Sequence, residues 1–509
     1  MSNKRPFLLG AMVLTASGMA LYNNPYAVYA FLLVLSSAGL PTAISRMVSE
    51  HLVMGDRWGA RTVFRKSRRI LLVTGSVATV FMAALAVPIA SAAGDVSSAP
   101  AFVALAPSLM FVCLVSAYRG YFQGMQRMLP TAASQTVEQV VKLFPGVLLA
   151  TIGLREGGIV WGAVGAVAGV SLSELCALVL IMGAGARQAR LDSDLPKGNA
   201  PVINIYKRLF SIAIPVTIGA SLMPIVGLVD AFVIVNRLKD VGFMVEQART
   251  MYGVFTGMVS SLINLPAVIT VSLSISLVPA IASRVIKKDE AAVRAASLTG
   301  MRIAWLLSLP ISVGMAMLAR PILTMLFGGV PDWQLDSATQ LLTIMSIGVL
   351  FLSLSQTTTG ILQGLGKPFL PVMTLGIGLV AKIVLTYLLV GQSALLVNGA
   401  AIATSVCYVI AAIGNMWHVS RETGVHFAGV DFFLKPLIAC AGMAVALWAF
   451  SLIGQNMSGS VYTLSAVGVG MAVYAVLLLV LRALKREDVT MLPKGDSLYR
   501  LLKRMKLMG

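Results

Sequence analysis

Five ionisable side chains stand inside stretches that are otherwise apolar: Glu138, Lys142, Glu174, Asp230 and Lys382. A charge at the centre of a bilayer costs about 2.5–3.5 kcal/mol on insertion scales, so each such residue marks an ion pair, an ion site or a recognition site. Glu138 and Lys142 are four apart, which puts them on one helix face. They read either as a structural ion pair or as part of a cavity wall. In the second case Lys142 and Lys382 would face one another, and two ammonium groups suit a pyrophosphate, which is anionic and rich in acceptors. Gln139 and Arg249 join Lys142, Lys382 and Glu138 as candidate headgroup ligands. Asp230, in Gly227-Leu-Val-Asp230, could carry a coupled proton or sodium ion, or could be a helix-end residue satisfied by water near Asn236 and Arg237. Glu174 reads as polar packing.

Other chemistries have little to work with. The only histidines are His51, His418 and His426, all in polar stretches, and the four cysteines are far apart without a CxxC pair. That leaves no material for a metal cluster, a disulfide framework or a catalytic triad. No P-loop, GxGxxG fingerprint or HExxH occurs, so neither an enzyme nor a cofactor is expected. Gly162, Gly165 and Gly169 put small residues on one helix face, which favours close helix contact.

The elements that carry these residues follow from composition. The chain has 509 residues, 58% hydrophobic and 12% charged, with a mean hydropathy of +0.87. Soluble domains are about 45–50% apolar and about 25% charged. A water-soluble globule could not hide so much apolar surface. With about 20 apolar residues per crossing, fourteen spans are expected. They run near 7–22, 26–45, 70–92, 101–118, 131–153, 158–184, 209–235, 252–283, 300–318, 338–362, 369–391, 396–417, 434–453 and 461–481. The first, after Lys4 and Arg5, also has the look of a signal peptide.

The net charge of +19 could point to nucleic acid. The positions of the charges argue otherwise. Most of the 39 lysines and arginines fall on alternate loops, in clusters such as Arg57–Arg69, Arg187–Arg208, Arg284–Arg302 and the tail after 482. That is the positive-inside pattern, with both termini cytoplasmic. Arg119 with Arg127, and Arg46 with Arg284, lie at the cytoplasmic mouth as anchors or as first contacts for a headgroup. The tail is expected to lie on anionic lipid.

An internal repeat divides the chain. Gly120-Tyr-Phe-Gln-Gly124 recurs 240 residues on as Gly360-Ile-Leu-Gln-Gly364, and Lys142 recurs as Lys382. Pro41-Thr-Ala-Ile-Ser-Arg46 matches Pro279-Ala-Ile-Ala-Ser-Arg284, 238 on. The expected plan is an N-terminal six-helix lobe over 1–190, a cytoplasmic linker at 191–208 and a second six-helix lobe over 209–420. Two extra helices follow at 434–481, then a basic tail at 482–509. Six spans per lobe gives a parallel repeat, as in transporters that rock one half against the other. The first lobe is short by about thirty residues relative to the second.

Arg119-Gly-Tyr-Phe-Gln-Gly124, Met128-Leu-Pro-Thr-Ala132, Ser134-Gln135 and Glu138-Gln139 resemble the signature of SpoVB-like polysaccharide-export proteins, within the MATE and MurJ-like flippases. Leu40–Arg46, Tyr252–Gly257 and Gly360–Lys367 resemble the same family, and the similarity covers nearly the whole chain. The resemblance implies an all-α polytopic membrane protein with two six-helix lobes in a V and two added helices. It implies alternating access that moves undecaprenyl-pyrophosphate oligosaccharides or peptidoglycan precursors across a bacterial inner membrane. With no nucleotide site in the sequence, a gradient of protons or sodium ions or the membrane potential is the expected driving force, and a monomer the expected state. A MATE-type cation or drug antiporter and a non-transporting scaffold of cell-envelope synthesis are the alternatives. Relatives carry arginines and a GAEGLGLY-like turn in the first helix. Here Ala16–Ala20 passes directly into Leu21-Tyr-Asn-Asn-Pro-Tyr26, so that helix is expected to be shortened.

Overall fold

The computed structural model describes residues 15–191, 205–425, 430–453, 459–481 and 483. Lys4, Arg5, most of the linker and nearly all of the basic tail lie outside them. Among the described residues the chain is helical, without a strand. The helices are α1 (Ala16–Ser37), α2 (Gly39–Val53), α3 (Arg57–Ala84), α4 (Ala86–Ala92), α5 (Ala99–Gly124), α6 (Met128–Leu191), α7 (Ile205–Asp240) and α8 (Val245–Gly253). After a π-helical turn at Val254–Val259 come α9 (Ser260–Ile286), α10 (Glu290–Met317), α11 (Ala319–Phe327), α12 (Asp332–Gly364), α13 (Phe369–Val390), α14 (Val397–Thr423), α15 (Lys435–Ile453) and α16 (Gly459–Val480).

Among the described residues, twelve runs are long and apolar enough to cross a membrane. One of them, α6, reverses at Gly158, whose φ of 74° and ψ of −163° are open to glycine alone. Its arms pack back to back. A Cβ on Gly169 would stand 2.3 Å from the Cα of Gly146, and one on Gly165 would stand 2.2 Å from the carbonyl oxygen of Leu149. The small-residue face therefore seals this hairpin. Counting α6 twice turns twelve runs into thirteen crossings, consistent with about fourteen.

The start of the chain differs from expectation. Spans at 7–22 and 26–45 are not separate: residues 16–53 form one run through Asn23-Asn24-Pro25. The polar pair that looked like a break is used inside the membrane. The amide nitrogen of Asn23 donates to Thr256 Oγ1 at 3.1 Å, and Asn24 is buried. Without water to compete, the helix persists past the proline.

Two compact units divide the chain, residues 1–257 and 258–509. In the first, α5 is the central helix, packed by α1, α2, α3 and α6. One core gathers Val28, Met82, Phe102 and Leu105, and a second gathers Ile44, Leu71, Tyr121 and Leu209. In the second unit α12 is central, against α9, α10 and α14.

The repeat survives in the structure with a corrected register. Asp56 caps α3 by accepting from the backbone N–H of Gly59 at 2.7 Å, and Asp289 caps α10 from Ala292 at 2.9 Å. The preceding residues, Gly55 and Lys288, both have positive φ, 76° and 55°. Packing agrees: a Cβ on Gly120 meets Pro41 O at 2.8 Å, and one on Gly360 meets Ser274 O at 2.6 Å. The capping residues, the positive-φ residues and the contacted carbonyls lie 233 residues apart, so Pro41 corresponds to Ser274 and not to Pro279. The 238-residue match was out of register, and Arg46 and Arg284 are not counterparts. Helices α1 and α2 together correspond to α8 and α9; α7 has no counterpart among the described residues.

Candidate functional site

The richest cluster of buried charge lies within the first unit. Arg119 projects from the last turns of α5. The motif after it is there for packing: Gly120 and Gly124 let α2 approach so closely that a Cβ would meet Pro41 O and Ser45 O within 2.8 Å. That contact fixes where Arg119 sits. Its Nη2 donates to Glu138 Oε2 at 2.9 Å and its Nε to Ser134 Oγ at 3.1 Å. Both partners come from the first arm of α6. Glu138 Oε1 also accepts from Lys142 Nζ at 3.5 Å and Gln139 Nε2 at 3.4 Å. Glu174, on the second arm, is 2% exposed and feels the charges of Glu138, Lys142 and Arg119. Two carboxylates thus face two cations in a low-dielectric pocket, where such interactions are strong. Lys142 is the most open of the charged members, with 28% of its side chain exposed against 12% for Glu138.

The other sequence-selected residues are dispersed. Lys382 is completely buried, on the face of α13 that also holds Pro371, Thr374, Gly378 and Thr386. Asp230 is buried beside Tyr252. It is ten residues from the end of α7, so it is not a helix-end residue. Asn236 donates instead to Ala92 O and Phe232 O, and Arg237 pairs with Asp240 at 2.9 Å. Arg249 grips Asp95, which is 4% exposed, through both Nε and Nη2, and also donates to Ser97 Oγ at 3.0 Å. Arg127 donates to Gln188, Arg46 pairs with Glu50 at 3.2 Å, and Arg284 bonds Ala280 O of its own helix at 3.3 Å.

Sequence spacing found the Glu138–Lys142 pair but missed the closer Arg119–Glu138 pair and the Arg249–Asp95 clamp. The first links two helices and the second ties α8 to the turn between α4 and α5, and no period within one helix signals either. Among the described residues no group of three or more His, Cys, Asp or Glu side chains could hold a metal.

The model of the polysaccharide biosynthesis protein family matches residues 7–285, more than half of the chain. The chain belongs to this family. The MatE family model also matches residues 242–388. Among curated relatives, this polysaccharide biosynthesis protein is 26% identical over 504 residues to the lipid II flippase MurJ of Bacillus subtilis (strain 168), covering 91% of this chain and 89% of that one. It is 25% identical to stage V sporulation protein B of the same organism, covering 96% and 98%. Among solved structures, it superposes on an inward-facing multidrug resistance MATE family transporter of the MOP superfamily with a TM-score of 0.69 and 17% identity, covering 82% of this chain and 94% of that one. The inward closed conformation of lipid II flippase MurJ gives 0.67 at 12% identity, covering 93% and 95%. The fold is MATE/MurJ-like, and the protein is a multi-pass membrane protein.

Proposed function

We propose that this protein moves lipid-linked saccharide precursors of the undecaprenyl-pyrophosphate class from the inner to the outer leaflet of a bacterial cytoplasmic membrane by alternating access. The observation that carries the reading is the Arg119–Glu138–Lys142 cluster. One carboxylate holds two cations, and a pyrophosphate that displaced it from them would find an acceptor-hungry guanidinium and ammonium side by side. The similarity to lipid II flippase MurJ and stage V sporulation protein B supports the same substrate class. In this reading Lys142, Lys382, Glu138, Gln139 and Arg249 serve the headgroup, and Arg119, Arg127, Arg46 and Arg284 serve the cytoplasmic mouth. Asp230 carries the coupling proton or sodium ion, the lobes over 1–190 and 209–420 move against one another, and a monomer suffices. The basic turns are cytoplasmic, as are both termini.

A second reading has one observation in its favour. The MatE match at 242–388 and the MATE fold suit a cation or drug antiporter, with Glu138 and Glu174 as the cation-binding carboxylates. Binding by the purified protein separates the two. An undecaprenyl-pyrophosphate saccharide should bind, and Lys142→Ala and Lys382→Ala should each weaken it about tenfold, the equivalent of one lost charged contact of about 1.4 kcal/mol. Binding of a cationic dye alone would establish the antiporter reading. Lipid binding unchanged in both variants would remove the two lysines from the site.

A further inference from the structure

Helix α3 begins with a dense run of cations. Arg57, Arg61, Arg65, Lys66, Arg68 and Arg69 fall within its first thirteen residues, and no acidic residue occurs between Asp56 and Asp95. At 100° per residue, the five arginines share one third of the helix circumference, opposite the buried stripe of Ala60, Val63, Ser67 and Leu71. Arg57, Arg65, Arg68 and Arg69 are exposed. The nearby carboxylates are already engaged: Glu50 by Arg46 and Arg208, Asp56 by His51. Among the described residues no carboxylate lies within 4.0 Å of Arg65 or Arg69. Arg68 and Lys66 meet aromatic side chains. Arg68 Nη1 donates to Tyr118 Oη at 3.2 Å, and the Lys66 ammonium lies 5.2 Å above the Tyr206 ring.

Two further observations say what the run is for. Further along the same helix the exposed residues turn apolar, with Leu72, Val73, Val77 and Val80 between 43% and 65% exposed. A helix that is cationic at its end and greasy beyond it matches a lipid, headgroup first and chains after. The repeat also supplies an internal control. In the 233-residue register, Arg65, Lys66 and Arg68 correspond to Leu298, Thr299 and Met301 of α10. The two arginines that do persist, Arg294 and Arg302, are spent on Thr423 O and Ala483 O. The same helix folds in the second unit without an exposed ladder, so the ladder is not a requirement of the fold. A topogenic signal needs positive charge, but it does not need five guanidinium groups gathered on one third of a helix, four of them exposed.

We propose that the ladder on α3 is a binding surface for anionic phospholipid headgroups in the leaflet where α2 and α3 turn. The guanidinium forks bind phosphates, and Leu72 to Val80 lie along the acyl chains. This surface is independent of the transported substrate.

The test uses the full-length protein and native mass spectrometry with phosphatidylglycerol or phosphatidylcholine as the probe. The wild type should retain phosphatidylglycerol in preference to phosphatidylcholine. In Arg65→Gln/Arg69→Gln, phosphatidylglycerol retention should fall about thirty-fold, from the usual contribution of a juxtamembrane cation taken twice. Lys287→Gln/Lys288→Gln removes equal charge from the matching turn of the second unit and should retain lipid as the wild type does. Equal loss in both variants would reduce the effect to net charge and overturn the proposal. So would retention of an undecaprenyl-pyrophosphate saccharide, and not of phosphatidylglycerol, at the ladder. An unchanged melting temperature of the Arg65→Gln/Arg69→Gln variant without added lipid shows that a loss of retention is not a loss of fold.

Discussion

Removing the guanidinium of Arg119 should destabilise the protein, and neutralising Glu138 in the same chain should cost less than the two changes taken separately. The Arg119–Glu138 contact is 2.9 Å, with side chains 16% and 12% exposed. At an effective dielectric of about 20, unit charges at that distance attract by about 6 kcal/mol. Desolvation offsets much of this, and truncating one partner of a buried pair typically costs about 3–5 kcal/mol. Lys142 still faces Glu138 at 3.5 Å, so the low end, about 3 kcal/mol, is expected for Arg119→Leu. By the usual entropy of unfolding per residue, that lowers the melting temperature by about 3 °C if the whole chain melts as one, and about 6 °C if the first unit melts alone. The six tryptophans provide a fluorescence readout in detergent. Glu138→Gln alone leaves Arg119 and Lys142 facing only Glu174 and should cost a similar amount. The double variant Arg119→Leu/Glu138→Gln leaves one cation against one carboxylate. It should therefore lie above the sum of the singles by a coupling of about 1–2 kcal/mol, which is about 1–2 °C if the whole chain melts as one and about 2–4 °C if the first unit melts alone. Additive losses would refute the account of the cluster as one electrostatic unit.

Two further outcomes follow from the packing. Gly169→Val puts a Cβ 2.3 Å from the backbone of Gly146, which no rotamer change relieves, so the α6 hairpin should open and the yield of folded, monodisperse protein should collapse in size-exclusion chromatography. Gly183→Ala, where nothing lies within 4 Å, should melt at or slightly above the wild type, because alanine gains about 1 kcal/mol over glycine in a helix. Arg249→Gln strips the buried Asp95 of its bidentate partner and should cost about 3 kcal/mol, with faster hydrogen exchange across residues 93–98; Asp95→Asn added to it should restore part of the stability, and exchange unchanged in the single variant would show the clamp to be idle.

Much of the architecture was legible because the bilayer imposes a simple rule. Length and hydropathy located nearly every helix of the second unit. The errors fall where that rule is silent. Asn23-Asn24-Pro25 looked like a turn because in water these residues favour one. In the structure Asn23 bonds Thr256 and the helix continues. The 238-residue match at Pro41 looked like a repeat because short strings resemble one another by chance. The caps at Asp56 and Asp289, and the glycine contacts of Gly120 and Gly360, place the register at 233.

The sequence by itself determined the class of the protein, its family, the helical hairpin at Gly158 in outline, and the Glu138–Lys142 pair, because all of these follow from composition or from the period of a single helix. Only the tertiary structure decided that Arg119 is the nearest partner of Glu138, that Arg249 is committed to Asp95, and that Asp230 and Lys382 are buried. Those facts depend on which helices touch and how closely. Glycines and other small residues on facing surfaces set that distance, and their consequences appear only once both surfaces are in place.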